Sequence, residues 1–152
     1  MQKITPFLLL DGRAEEAMNF YTSVFKNSKI VDVTRSGDAG PVFGATIELD
    51  GERFQLLNVG PKADFTAAIS FFVNCEAQAE VDELWDKLLV GGAPLRCGWV
   101  KDKFGVHWQI IPSALGRLMR DKDAGKSQRV MQAMMQMIKI DIAGLERAAQ
   151  AA

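Results

Sequence analysis

An internal repeat constrains the fold of this chain more than any other feature of its sequence. A shift of 64 positions aligns the apolar segment Phe7–Leu10 with residues 71–74, and a shift of 54 aligns Phe54–Leu57 with residues 108–111. The smaller second shift indicates that the second copy has lost about ten residues between its helix and its last hairpin. A single copy has a one-sided sheet, which must be covered or joined to its twin. The repeat therefore predicts two related modules.

Hydrophobic periodicity and turn residues predict the order β-α-β-β-β for the first module, and a strand, a helix and a hairpin for the second. In the first module, the last two strands alternate on either side of Asp50 and Gly51, a dipeptide typical of a tight hairpin turn. Asp11 is expected to cap the first helix, and Gly91 with Gly92 to end the second. The predicted segments are strand 4–10, helix 13–25, strands 29–35, 43–49 and 53–59, then strand 68–73, helix 77–89 and a hairpin over 99–112.

The hairpin of the second module has a polar turn that closes on a glycine. Asp102 lies in this turn, and we expect its carboxylate to be solvated. Because successive side chains of a strand point to opposite faces, the second arm divides into two sets. One set is Val106, Trp108 and Ile110, and the other is His107, Gln109 and Ile111.

The sequence after Pro112 predicts a helical tail. Ser113 and Ser127 are expected to cap its first two helices, and Asp141 to start a short last one. The second of these helices is rich in methionine and has a wide apolar face. Its apolar surface is larger than a small sheet covers alone. Its two stripes are Val130, Met134 and Met137, and Met131, Met135 and Ile138. We therefore predict a homodimer.

Charge and composition exclude several partners. The 152 residues carry 18 basic and 19 acidic side chains, a net charge of -1, and no basic block. This balance gives no electrostatic footprint for nucleic acid or an anionic membrane. The longest apolar runs have strand length, and the N-terminus leads directly into a strand, so we expect a cytoplasmic protein with no membrane helix. Cys75 and Cys97 are predicted to be buried or half-buried thiols.

Three groups of residues carry a resemblance to a known family. They are Asp11–Ala17 with Phe20, Tyr21 and Phe25; Cys97–Trp99 with Asp102–Val106 and Trp108–Ile110; and Val130–Met134 with Lys139–Ile142. Together they resemble the PhnB-like branch of the vicinal oxygen chelate superfamily, which includes glyoxalase I, extradiol dioxygenases and bleomycin-resistance proteins. Members of this branch have often been labelled 3-demethylubiquinone-9 3-methyltransferase.

The resemblance implies an α+β fold. Two βαβββ modules, the second one shortened, would form a curved mixed sheet around a cleft with the helices outside, and a helical tail would follow. Residues 1–152 would form a single domain, with module one over 1–60, module two over 66–112 and the tail over 113–152. The resemblance also implies a dimer.

In the metalloenzymes of this superfamily, His, Glu or Gln residues on the first and last strands of each module hold a divalent ion. The resemblance places the last-strand positions on Gln55 and Gln109, and the first-strand positions near Thr5 and Ala68. None of these four side chains is a carboxylate or an imidazole, the groups that offset the loss of a metal's hydration shell. We therefore predict that the chain has no metal site and no other cofactor.

Five residues are candidates for lining a ligand-binding cleft: Gln55, Gln109, His107, Trp99 and Phe43. The two glutamines either hydrogen-bond to a ligand or hydrogen-bond to each other or to water. His107 is either an acid/base group or lone metal ligand, or a polar residue of the cavity wall, since no orienting carboxylate is evident. Trp99 and Phe43 either stack on a planar ligand or belong to the core. No catalytic residue is assigned.

Three functions stay open. The first is the binding of a small molecule in the cleft without a catalytic metal. The second is a metal-dependent lyase, isomerase or dioxygenase in which His107 and Gln109 act as ligands. The third is a structural or regulatory homodimer with a vestigial cleft. Methyl transfer is excluded, because a nucleotide-type methyl donor normally sits at a glycine-rich turn of a doubly wound parallel sheet, and the sequence has no such turn.

Overall fold

The computed structural model describes residues 2–59 and 61–151, and the chain divides into two compact units, residues 1–64 and 65–152. Unit 1 contains β1 (Phe7–Leu9), α1 (Ala14–Val24), β2 (Ser28–Arg35), β3 (Val42–Leu49) and β4 (Glu52–Leu57). Unit 2 contains β5 (Ser70–Cys75), α2 (Gln78–Leu89), β6 (Ala93–Pro94), β7 (Trp99–Lys101), β8 (His107–Pro112) and the tail helices α3 (Ser113–Met119), α4 (Ala124–Met135) and α5 (Ile142–Gln150).

The two units have the same sheet topology, which confirms the repeat. The strand order is β1-β4-β3-β2 in unit 1 and β5-β8-β7-β6 in unit 2. In each sheet the first strand pairs with the last in parallel, and the other pairs are antiparallel. The middle strands account for the shortening, because β2 and β3 have 8 residues each whereas β6 has 2 and β7 has 3. The α+β class and the helical tail are also confirmed.

The β3–β4 hairpin turns where the sequence predicts it. Asp50 has a φ of 50° and Gly51 a φ of 89°. Positive φ at both central residues is the geometry of a type I′ turn, whose twist matches that of the two strands. The Asp-Gly dipeptide therefore fixes the register of β3 against β4.

Helix α1 packs on one face of the unit 1 sheet. The residues that it buries lie at helical spacing: Ala14, Ala17, Met18, Tyr21 and Val24. The expected cap at Asp11 is wrong, because Arg13 occupies the cap position and makes no side-chain cap hydrogen bond. Instead, the amide of Ala14 donates to Oδ1 of Asn58 at 2.8 Å. A residue that follows β4 thus supplies the cap of α1.

Helix α2 packs on one face of the unit 2 sheet and contacts β7 and β8. Its buried residues are Val81, Leu84, Trp85 and Leu88. On the sheet, Val100, Trp108 and Ile110 are buried, as the predicted alternation of the hairpin requires. Burial of these large side chains is the main stabilising term of the unit.

The β7–β8 turn is organised by a buried carboxylate. Asp102 is 2% exposed, so the expectation that it is solvated is wrong. Its Oδ1 accepts from the amides of Phe104 at 2.9 Å and Val106 at 3.0 Å, and its Oδ2 accepts from Nε1 of Trp108 at 2.8 Å. Three donors therefore offset the cost of burying this charge.

The tail helices share one apolar cluster with the end of β8. The cluster comprises Ile111, Leu115, Leu118, Val130, Ile140, Leu145 and Ala149, with Met119, Met134 and Met137 packed against it. Met131, Met135 and Ile138 are exposed, at 44%, 53% and 52%. Only the first of the two predicted stripes of α4 is thus covered within the described part of the chain.

Two of the three predicted tail caps are wrong. Pro112 occupies the cap position of α3, and the hydroxyl of Ser113 donates to Oε2 of Glu76 at 3.1 Å. Helix α4 begins three residues before Ser127, with Oδ1 of Asp123 accepting from the amides of the first turn. Asp141 caps α5 as predicted, since its Oδ2 accepts from the amide of Gly144 at 3.1 Å.

Hydrogen bonds hold the segment before α5 against the rest of unit 2 at two places. The amides of Cys97 and Gly98 donate to the carbonyls of Met137 and Ile138, at 2.9 and 2.7 Å. On α2, the Gln78 side chain donates to the carbonyl of Ile140 at 3.0 Å and accepts from the amide of Ile142 at 2.8 Å. The backbone at 97 and 98 has φ values of 60° and 82°, which point both amides at the tail.

No helix in residues 2–59 and 61–151 is long and apolar enough to cross a membrane.

Candidate functional site

The face of each sheet opposite α1 or α2, here called the far face, carries the same pair of side chains. The register pairs Phe7 of β1 with Gln55 of β4, and Phe72 of β5 with Gln109 of β8. Both phenylalanines are 53% exposed. Because paired residues of parallel strands point to the same side, each glutamine stands beside an exposed aromatic ring. The equivalence of the two glutamines follows from the shared topology.

A hydroxyl stands near the glutamine of unit 2. The amide Nε2 of Gln109 donates to Oγ of Ser70 at 2.9 Å. The expected position, Ala68, lies two residues earlier: the first strands align at a shift of 65 positions, whereas matching Thr5 with Ala68 needs a shift of 63. At that shift Ser70 corresponds to Thr5, which was the expected position in unit 1. A hydroxyl and an amide therefore recur at matched positions of both units.

His107 and Trp99 lie on the same far face as Gln109. The Cα partners are Ser70 and His107 across β5 and β8, and Trp99 and Gln109 across β7 and β8. His107 is 8% exposed, and its Nδ1 is buried without a hydrogen-bond partner in the part of the chain that the structure describes. Trp99 and Gln109 are half-buried. Three of the five candidates thus lie on neighbouring strands of one sheet.

The other two candidates lie in unit 1 and are not cross-strand partners. Gln55 is exposed and pairs with Thr46 of β3. Phe43 falls at an irregularity where the register between β2 and β3 shifts, and 41% of it is exposed. Its carbonyl accepts from the amide of Asn58 at 2.9 Å, which holds the end of β3 against the end of β4.

The far face of unit 1 differs in charge from that of unit 2. Glu48 of β3 lies between Lys29 of β2 at 3.2 Å and Arg53 of β4 at 3.6 Å. Arg53 occupies the position that His107 has in unit 2, two residues before the glutamine. A ladder of partly exposed ion pairs therefore takes the place of the imidazole, and such pairs contribute little to stability.

The donor set around Gln109 consists of an amide, a hydroxyl and an imidazole. Among residues 2–59 and 61–151, no three His, Cys, Asp or Glu side chains come close enough to hold a metal ion. An imidazole is a good ligand for a transition metal, whereas a neutral amide and a hydroxyl are poor ones. This set suits hydrogen bonds to an organic molecule better than the coordination of a divalent cation.

The two cysteines, both free thiols, are expected to differ sharply in reactivity. Burial, followed by the charges of Glu80 and Glu76, raises the pKa of Cys75 from 9.0 to about 12. Because the thiolate is the nucleophile, Cys75 should be inert at pH 8 while the half-buried Cys97 reacts. Titration with Ellman's reagent should show one thiol in the native protein and a second after unfolding in urea. A native Cys97→Ser variant that still releases one equivalent would contradict this prediction.

The same raised pKa predicts a loss of stability at high pH. An unfolded chain releases the Cys75 proton near its ordinary pKa of 9.0, whereas the folded chain holds it up to about 12. The contribution of this thiol is therefore complete below pH 9 and is lost as the pH rises towards 12. Cys75→Ala should flatten the fall of the free energy of unfolding in this window, measured by urea denaturation. An unchanged slope would contradict it.

The sequence profile of the family described as 3-demethylubiquinone-9 3-methyltransferase matches residues 2–111. No curated protein matches the chain. The matched range ends within β8, so the three tail helices lie beyond it.

Several solved structures are similar to this chain. The PhnB protein from Bacillus cereus is 42% identical, with 71% of this chain and 97% of that chain covered and a TM-score of 0.65. A protein from Pseudomonas aeruginosa is 20% identical over 71% of this chain and 95% of its own, with a TM-score of 0.61. A gene product of Arabidopsis thaliana is 21% identical over 71% and 96%, with a TM-score of 0.51. The last two likenesses concern the fold alone.

The family profile covers most of the chain, the Bacillus cereus protein is similar over nearly its whole length, and both units have the βαβββ topology. The chain therefore belongs to the family described as 3-demethylubiquinone-9 3-methyltransferase, in the PhnB-like branch of the glyoxalase-fold proteins.

Proposed function

We propose that this protein binds a small organic molecule in a cleft lined by its sheets and does so without a catalytic metal. The observation that carries the proposal is the far face of unit 2, where the Gln109 amide is oriented by Ser70 and stands between Phe72 and Trp99 on the neighbouring strands. Binding sites for small molecules combine apolar walls with a few well-placed polar groups. This face has both.

The Gln109 side chain has hydrogen-bonding capacity left for a ligand. Its Nε2 donates to Ser70, while its Oε1 accepts no hydrogen bond from any described residue. Fixing one end of an amide removes its rotational freedom before a ligand arrives, which lowers the entropic cost of binding. Gln109 is thus pre-organised as an acceptor, in contrast to the exposed Gln55.

The family name does not extend the proposal to methyl transfer. The sheets have mixed strand directions in the order β1-β4-β3-β2 and its repeat, whereas nucleotide cofactors favour the crevice of a doubly wound parallel sheet. A metal-dependent lyase, isomerase or dioxygenase remains the alternative enzyme class, with His107 and Gln109 as ligands. A structural or regulatory homodimer with a vestigial cleft remains the alternative without a ligand.

Ligand binding can be tested with a screen of small aromatic and aliphatic compounds by thermal shift. We expect at least one compound to raise the melting temperature of the wild type. Its dissociation constant should rise about tenfold in Gln109→Ala, which loses one hydrogen bond and the packing around it. The control is Gln132→Ala, because Gln132 is exposed on α4 and its loss should change nothing. Equal loss of affinity in both variants would contradict the site.

We also propose that the protein is a cytoplasmic homodimer. The exposed apolar stripe of α4 and the residues after it, Met131, Met135 and Ile138, is the surface that a second copy would cover. Light scattering at micromolar concentration should give twice the monomer mass of 16.8 kDa. Met135→Lys should shift the mass towards the monomer, whereas Gln132→Lys on the same helix serves as the charge-matched control. The monomer mass for the wild type would contradict the dimer.

A further inference from the structure

We infer that His107 anchors the ligand of the unit 2 far face and that this ligand is an uncharged planar molecule with a hydrogen-bonding edge. The inference rests on the proposed function and adds to it a specific contact and a ligand class. It starts from His107, the only histidine of the chain.

The imidazole of His107 is buried but not satisfied. The residue is 8% exposed, and its Nδ1 has no hydrogen-bond partner in residues 2–59 and 61–151. Buried polar atoms are paired in the great majority of folded proteins, and the exceptions require an explanation such as a bound water or a functional role. Because Nδ1 is itself buried, the His107 ring must turn for a polar group of a ligand to supply the missing bond.

The neighbours of His107 offer complementary polar atoms. Ser70 is its Cα partner on β5 and accepts from Gln109, which leaves the hydroxyl hydrogen of Ser70 available. Gln109 contributes its Oε1 as an acceptor. A hydroxyl donor, an amide acceptor and an imidazole nitrogen therefore converge on one face. They fit a molecular edge that both donates and accepts, as a cyclic amide or a hydroxylated heteroaromatic ring does.

Two aromatic side chains flank the site around Gln109. Phe72 and Trp99 lie on the strands to either side of Gln109, so their Cα atoms are roughly 10 Å apart. Gln109 stands between them, so a planar ligand that bonds the Gln109 amide would have aromatic surface on both sides of it.

The burial of His107 favours a ligand without charge. Lys101, its Cα partner on β7, is exposed, so its ammonium group can remain in water. An ionised group that reached the buried Nδ1 would lose its hydration, which is costly without a paired charge. The equivalent position in unit 1 is Arg53, which is engaged with Glu48, so this anchor is particular to unit 2.

The single histidine makes a direct test by nuclear magnetic resonance possible. We would follow the two ring nitrogens of His107 and the indole N–H of Trp99, assigned with Trp99→Phe, during titration of the full chain with 2-pyridone. Benzene, which lacks a polar edge, and benzoate, which is charged, are the comparison probes. We expect 2-pyridone to move both Nδ1 and the Trp99 signal along one saturating curve, with at least about tenfold weaker binding of the other two.

The outcomes separate the anchor from the proposed function. Saturable movement of Trp99 with a stationary His107 Nδ1 would overturn the anchor and leave the binding face intact. Tighter binding of benzoate than of 2-pyridone would overturn the uncharged class. If no probe moves either residue, the inference fails, and the thermal-shift screen decides the proposed function by itself. His107→Phe should weaken 2-pyridone about tenfold and Gln132→Ala should not, with an unchanged amide spectrum as the check on folding.

Discussion

Replacing Asp102 by alanine is expected to lower the free energy of unfolding by about 4 kcal/mol. The carboxylate is 2% exposed and accepts three hydrogen bonds, from the amides of Phe104 and Val106 and from the indole of Trp108. Alanine removes the acceptor of all three hydrogen bonds, and each lost bond at a buried group costs about 1–3 kcal/mol. The β7–β8 turn would also lose the group that fixes its shape, and with it the register of β8.

Urea denaturation of three variants should separate this role from a general effect of charge. Asp102→Asn keeps the shape but turns one acceptor into a donor facing a donor, so we expect an intermediate loss of about 2 kcal/mol. Asp50→Asn is the matched control, because Asp50 is exposed at the corresponding hairpin of unit 1 and asparagine tolerates its positive φ. It should change stability by less than about 0.5 kcal/mol. Equal losses at positions 50 and 102 would contradict the role of Asp102.

Replacing Gly98 by alanine is expected to cost about 3 kcal/mol. The backbone at Gly98 has a φ of 82°, and an added Cβ would lie 2.8 Å from Cδ1 of Ile111, 2.9 Å from Cγ1 of Ile140 and 3.0 Å from the carbonyl of Ile110. The side chain would therefore clash with both the sheet and the tail. The conformational strain and the overpacking add, because the backbone must also keep its hydrogen bond to Ile138.

The matched control for Gly98→Ala is Gly12→Ala. Gly12 has nearly the same φ, 85°, but nothing lies within 4 Å of an added Cβ. This variant isolates the cost of the left-handed backbone, about 1 kcal/mol. The difference between the two unfolding free energies then measures the packing of the tail against residues 98 and 111. Similar losses of unfolding free energy in both variants would show that contacts with the tail add nothing to the cost of Gly98→Ala.

Local sequence signals predicted most of the regular elements and their order, but not the short strand β6 (Ala93–Pro94). The hairpin at Asp50 and Gly51 follows from turn chemistry. The placement of Trp108 and Ile110 on the sheet face that α2 covers follows from strand alternation. Both signals act over a few residues. The repeat predicted the shared topology, because the same apolar pattern needs the same partners. The sequence also placed His107 and Gln109 on one face, since they are two residues apart on a single strand.

Contacts between distant residues could not be predicted in this way. Asn58 caps α1 from 44 positions away, and no local pattern distinguishes it from a loop residue. The burial of Asp102 depends on Trp108, whose indole reaches back across the turn. Ser70, and not Ala68, is the neighbour of Gln109, because the first strands align two positions further along than the match of Thr5 with Ala68 assumed. Such register differences become visible only when the strands are paired.

We propose that the amide, hydroxyl and aromatic side chains of the far faces serve an organic ligand and not a divalent cation. The most direct test is equilibrium dialysis of the chelator-treated protein against zinc, nickel and manganese, followed by elemental analysis of the wild type and of Gln55→Ala, Gln109→Ala and His107→Phe. Our account predicts that the bound metal stays well below one ion per chain and is the same in all four proteins. One tightly held ion per chain that is lost when Gln109 or His107 is replaced would contradict it.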